Sequence, residues 1–192
     1  MENEKFLNKY RIKSARATWH DYSAGTYFIT ICTNNREHFF GEIDNGIMQL
    51  SEIGKYMFDN LLNINSHYPY TEIPLFVVMP NHWHAIVYID GDKTPYIRRD
   101  TSVETWHAAS LRATSLQTKN EQMRNIANMQ GWLSVAIGGI KSAVSKFAHD
   151  NDMDFAWQTR FHDHIIRNQN EMNRIADYID NNPTTWESDC FK

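Results

Sequence analysis

Apolar and polar positions in this chain follow two periods, alternation by two and recurrence by three or four, and the switches between them predict its elements. Thr26 to Thr33, "TYFITICT", is a dense run of aromatic and β-branched residues and reads as a strand. In the following "REHFFGEIDNGIMQLS", Asn45-Gly46 stands between apolar segments, the pairing favoured in a two-residue hairpin turn. From Ser51, a good helix cap, Ile53, Met57 and Leu61 recur four apart and predict a helix. Ile73 to Asp90, "IPLFVVMPNHWHAIVYID", returns to β, with Pro80 forcing a break or bulge because proline cannot donate to a sheet ladder. Gly91 to Gly131 is polar and weakly periodic and reads as a long connection. Leu133, Ile137, Ile140, Val144 and Phe147 then fall at helical intervals, with Lys141 and Lys146 on the other side and Gly138-Gly139 weakening the pattern. Phe155 to Arg167, "FAWQTRFHDHIIR", predicts one more strand. A last helix opens at Asn168, with Glu171 three residues on, and stops at Pro183.

The order β, hairpin, α, β, α, β, α suggests an α+β sandwich in which an antiparallel or mixed sheet carries helices. The 192 residues suit one domain, and a hydrophobic share of 42% is enough for a core. Neither a signal-like apolar block nor the roughly 20 apolar residues of a membrane span is present, so a cytoplasmic protein is expected. Cys32 and Cys190, far apart and without metal-site spacing, read as ordinary thiols. A net charge of -4 weighs against a general nucleic-acid coat protein. Local charge modifies that picture: "KYRIKSARA" clusters Lys9, Arg11, Lys13 and Arg16, which would serve either as phosphate contacts or as a solvated arm.

The candidate chemistry begins with "HWH". Residues two apart on a strand share a face, so His82 and His84 project together while Trp83, Ala85, Val87 and Ile89 face the opposite packing. Two imidazoles on one rigid strand make a metal clamp; two hydrogen-bonded histidines at a strand end are the competing explanation. His162-Asp163-His164 repeats the spacing around a carboxylate and reads as a subsidiary pair, with His164 nearer the site. On the last helix, Met172, Ile175, Ala176 and Ile179 form the apolar stripe. Tyr178 lies roughly 110° away from it, and Asn182 follows one turn later on the tyrosine's side. A phenol is a poor nucleophile until something polarises its target or takes its proton, and a metal on a phosphate does the former. A tyrosine at the rim of a packed helix is the plainer alternative.

"VVMPNHWHAIVYI" together with "WQTRFHDHIIRNQNEMNRIADYIDNNPTTW" resembles the single-tyrosine HUH transposases, most closely their REP-associated tyrosine transposase branch. The amino-terminal "YRIKSARATWHDYSAGTYFITICTNNREHFFGEI" resembles that branch too, so the likeness weakens only over Gly91 to Gly131. The resemblance implies a single ferredoxin-like α+β domain with an antiparallel sheet and packed helices. It further implies nicking and strand transfer on single-stranded or hairpin DNA through a 5′-phosphotyrosine link. Carried over by position, His82 and His84 match the metal ligands, Asn182 a polar residue completing that site, and Tyr178 the nucleophile. Ala85 departs from the family, where glycine is frequent, and narrows the approach to the strand.

The expected metal is Mg²⁺ or Mn²⁺. Arg11, Lys13, Arg16 and Lys141 are the expected phosphate contacts. Tyr22, Trp106 and Trp186 are candidate base-stacking rings, each with ordinary packing as its alternative. A monomer or homodimer is expected, with DNA as partner. The rival readings are a non-catalytic, domesticated nucleic-acid-binding protein of the same fold, and a phosphohydrolase using His82, His84 and His164.

Overall fold

The computed structural model describes residues 22, 24–94 and 131–192, and in it the first apolar run forms β1 (Gly25–Cys32). Tyr27, Ile29 and Ile31 are fully buried on one face, leaving Phe28, Thr30 and Cys32 on the other. The hairpin β2 (Gly41–Asp44) and β3 (Ile47–Leu50) turns at Asn45 and Gly46, with φ of 51° and 75°. Both values are left-handed, as a type I′ turn requires, and the hairpin forms a small sheet of its own. Ser51 caps α1 (Glu52–Leu62): its hydroxyl accepts from the Gly54 amide at 3.0 Å and donates to the Phe39 carbonyl at 2.7 Å. A single turn, α2 (Ile64–His67), follows.

The segment read as one β run with a break at Pro80 is two antiparallel strands, β4 (Thr71–Val78) and β5 (His82–Ile89). Pro80 lies in the turn between them, where its missing donor costs no ladder bond, and the Met79 amide donates to the His82 carbonyl at 2.8 Å. The irregularity inside a strand lies upstream, between Glu72 and Leu75, where Pro74 interrupts β4. After α3 (Trp132–Asp150), the strand expected over Phe155 to Arg167 is confined to β6 (His162–Ile165). Before it, only Trp157 bridges to Thr33, and Arg160, at φ 72°, breaks the extended run. The last helix, α4 (Gln169–Asn181), starts where Asn168 Oδ1 accepts from the Glu171 amide at 2.9 Å. It hands over at Asn182 to a 3-10 segment, Pro183–Ser188.

The main sheet has the order β4-β5-β1-β6 with every neighbouring pair antiparallel, and the ferredoxin-like arrangement is present. α1 and α3 cover one face, burying Ile53, Met57, Leu61, Leu133, Ile137 and Val144 against Tyr27, Ile29, Trp83 and Val87. On the other face α4 sets Ile175 and Ile179 against Ile86 and Ile166. β5 is therefore buried on both faces. The glycines of α3 divide their roles: a Cβ on Gly138 would meet nothing, whereas one on Gly139 would lie 1.7 Å from the Tyr68 hydroxyl. The helix gives up propensity at Gly139 so that Tyr68 can approach its backbone. Among the described residues no helix is long and apolar enough to cross a membrane. Arg11, Lys13, Arg16, Trp106 and most of the connection expected at Gly91 to Gly131 lie outside the described residues.

Candidate active site

His82 and His84 open β5 on the face turned toward α4, opposite Cys32 and Thr30 of β1. Their ring centroids are 4.6 Å apart, and the residues are 0% and 1% exposed. Trp83 between them anchors the strand in the opposite core. Each ring is fixed through Nδ1. Asn81 Nδ2 donates to the carbonyls of Phe191, at 2.8 Å, and Arg36, at 3.2 Å, which orients the amide so that its Oδ1 accepts from His82 Nδ1 at 2.8 Å. His82 Nε2 then carries the lone pair, is buried, and has no hydrogen-bond partner. His84 Nδ1 lies 2.8 Å from Thr30 Oγ1, and its Nε2 lies 3.2 Å from the Tyr178 hydroxyl. Donation from Nδ1 to Thr30 leaves Nε2 to accept from the phenol. Burial pushes both imidazoles down to about 3, helped by the Arg36 charge at His82 and by His82 itself at His84. Both are neutral at physiological pH, the form that binds metals.

Tyr178 projects from α4, beside the buried Ile179, and is 41% exposed. Phe28 holds it in place: this ring stacks on His84 at 5.3 Å between centroids and meets the phenol edge-on at 6.1 Å. Burial, then the Asp189 charge, push the phenol up to about 12, so it stands as a neutral hydroxyl. Asn182, at the end of α4, is 1% exposed and close enough to His82 and Tyr178 to influence the protonation of each. Its Oδ1 and Nδ2 nevertheless complete no hydrogen bond. A buried amide and a buried imidazole nitrogen left unpaired together would be costly in a purely structural cluster, and they suit a site that takes a cation. Two imidazole nitrogens and an amide oxygen are the donors present for a divalent cation, the nitrogens suiting Mn²⁺ better than Mg²⁺. Among the described residues no three of His, Cys, Asp and Glu close into a metal-holding group, so the set depends on the amide.

Sequence reasoning passed over several residues here. Asn81 and Thr30 orient the rings, and Asn81 stands in "MPNHWH", next to the histidine it fixes. Asp189 and Phe191 come from the irregular segment after α4, where no periodicity marks them. Asp189 Oδ2 is 3.9 Å from His82 Nε2, and the Phe191 ring is 4.7 Å from His82 and 5.7 Å from His84.

The second histidine pair goes elsewhere. His162 is exposed, and His164 Nε2 lies 2.7 Å from Glu171 Oε1, while the other oxygen of Glu171 accepts from the Arg167 amide at 2.9 Å. His164 thus joins the start of α4 and is engaged there, which removes the support for a third-histidine phosphohydrolase. Lys141 Nζ donates to the Gln158 carbonyl at 3.0 Å and sits 5.4 Å from the Trp157 ring centre, engaged with its own chain. Tyr22 stacks on Tyr27, and Trp186 is buried against His38 and His82, so both rings pack inside the protein and offer no face to a base.

No family model matches the chain. It is 36% identical over 183 residues to an uncharacterized protein of Haemophilus influenzae, covering 92% of this chain and 91% of that one. Among solved structures it is similar to a REP-associated tyrosine transposase bound to a REP hairpin, with a TM-score of 0.49 and 20% identity over 91% of this chain and 74% of that one. A transposase candidate from Deinococcus radiodurans matches with a TM-score of 0.37 and 13% identity over 86% of this chain and 95% of that one.

Proposed function

Because the chain belongs to one family with the Haemophilus influenzae protein, a kinship that names no activity, we propose its chemistry from the site itself. It is a metal-dependent single-stranded DNA endonuclease and strand transferase of the REP-associated tyrosine transposase kind, acting at hairpin or palindromic sites. Tyr178 is the nucleophile, and His82, His84 and Asn182 would hold Mg²⁺ or Mn²⁺. When bound, the cation supplies Lewis-acid polarisation of the scissile phosphate. The Tyr178 oxygen attacks phosphorus, the bond to the 3′ oxygen breaks, and the products are a 5′-phosphotyrosine and a free 3′-hydroxyl. The phenol gives up its proton and the departing 3′ oxygen gains one, so the step is balanced without a co-reactant. Attack by another 3′-hydroxyl reverses it and joins strands. His84 and Phe28 aim the phenol, and Asn81 and Thr30 keep the imidazoles in the tautomer that puts each lone pair on Nε2, the His84 one giving up the phenol's hydrogen bond when a cation binds.

The observation that carries this reading is the 3.2 Å approach of the Tyr178 hydroxyl to His84 Nε2. It joins two motifs far apart in sequence at a single point, beside an amide with no partner. Arg11, Lys13 and Arg16 are proposed as the phosphate contacts of a one-domain protein working as monomer or homodimer, with Lys141 in that role only if it leaves Gln158. The test is a labelled single-stranded DNA hairpin incubated with Mn²⁺ and run on a denaturing gel. The wild type forms a covalent protein–DNA adduct; Tyr178→Phe and chelator-treated wild type form none. DNA binding without any adduct would instead identify a non-catalytic binding protein.

A further inference from the structure

We propose that Asp189 is a fourth protein ligand of the cation held by His82, His84 and Asn182, an inference that rests on the metal reading above. The side chain of Asp189 is 3% exposed, and its Oδ2 is 3.9 Å from the partnerless His82 Nε2. It is also aimed. Oδ1 accepts from the Phe191 amide at 2.7 Å, which turns Oδ2 toward the imidazole. The segment itself is held down: Arg36 donates to the Cys190 carbonyl at 2.7 Å, and Asn81 donates to the Phe191 carbonyl at 2.8 Å. Asn81 thus fixes both His82 and the backbone that presents Asp189.

Charge gives the reason for a fourth ligand. Two neutral imidazoles and an amide bring no negative charge to a buried divalent ion, and the nearby Arg36 makes the place more positive still. Asp189 supplies the missing anion, and its charge already acts on His84 and Tyr178 across the site. A hard cation also prefers carboxylate oxygen to nitrogen, and ligand charge is a main determinant of its affinity. At 3.9 Å from His82 Nε2 the carboxylate stands outside the spacing at which His82, His84 and Asp189 would close on an ion, and it would have to move inward to bind one.

Mn²⁺ titration of the full chain without DNA, by calorimetry and by the loss of the free Mn²⁺ electron paramagnetic resonance signal, tests this. The wild type binds one ion, and His82→Ala removes binding. Asp189→Asn, whose Oδ1 can still accept from Phe191, weakens binding by at least roughly tenfold while the metal-free melting temperature stays unchanged. Wild-type affinity in Asp189→Asn, with binding lost in His82→Ala, overturns the fourth ligand and leaves the histidine site standing. No binding by the wild type, or binding that His82→Ala leaves intact, overturns both. A fall in the metal-free melting temperature of Asp189→Asn assigns the residue a structural role and overturns the proposal.

Discussion

Two strands of the sheet carry a His-x-His triplet with the same spacing, and they meet opposite fates. In β5, between β4 and β1, both histidines are buried against α4 and the middle residue, Trp83, fills the opposite core. In β6, at the sheet edge, His162 is exposed, His164 is taken up by Glu171, and the middle residue, Asp163, is buried with neither carboxylate oxygen hydrogen-bonded. Spacing decides that two rings share a face; place in the strand order decides what covers that face. A triplet becomes a candidate metal clamp when its strand is central and its middle residue is a large apolar ring that fills the opposite core, even though the Trp83 indole nitrogen is buried without a partner.

The strongest way to break this contrast is through the middle residues. Trp83→Ala should cost about 3–5 kcal/mol in denaturant unfolding, because a fully buried ring is lost from the main core. Little loss there would mean that Trp83 does not anchor the clamp. Next come the rings themselves: His82→Ala or His84→Ala should lower nicking of single-stranded DNA at least about 100-fold, since even supporting residues of metal sites cost roughly 10–100-fold. His162→Ala should leave the nicking rate near that of the wild type. Equal losses from the two pairs would erase the distinction.

Asp163→Leu should raise stability by about 1–3 kcal/mol, the cost of a buried polar group left unpaired. A destabilised variant would show that the carboxylate has a favourable role in β6. The acid response sharpens the β5 side. His82 and His84 sit near 3 when folded against 6.5 ordinarily, so between those values the unfolded chain binds protons that the folded chain excludes. Their contribution is complete above 6.5 and is lost as pH falls toward 3. With chelator present, each ring should add at most about 1.4 kcal/mol per pH unit to that slope, and His82→Gln should flatten it. The smallest effect belongs to His164→Ala, below about 1 kcal/mol, because its link to Glu171 is partly solvated.

Much of the placement in the candidate site is legible in the sequence. His82 and His84 follow from strand alternation, and Tyr178 and Asn182 from their shared side of one helix, because regular elements turn sequence spacing into direction. The turn at Asn45-Gly46 and the caps at Ser51 and Asn168 were equally readable, since each is satisfied within a few residues of itself. What failed was long-range or irregular. Pro80 announced an interruption, but whether that meant a bulge or a hairpin turn depends on which strands pair. The strand expected over Phe155 to Arg167 shortens to β6 because Arg160 adopts a left-handed φ that its residue type does not advertise. Lys141 looked free on its helix face until Trp157 and the Gln158 carbonyl folded over it. Nothing in the sequence marks Asp189, which lies in a segment without period whose direction is set by Arg36 and Asn81.

The two halves of the site differ in how firmly they are built in. Ladder partners on both edges of β5 mean that its amide hydrogens can swap for deuterium only when the whole sheet comes apart. α4 rests on one face only, through Met172, Ile175, Ala176 and Ile179 with Tyr178 against Phe28, and can lift without that event. Gentle warming should therefore carry the phenol and Asn182 away together while the two imidazoles still hold their places, leaving behind too few donors to grip a cation.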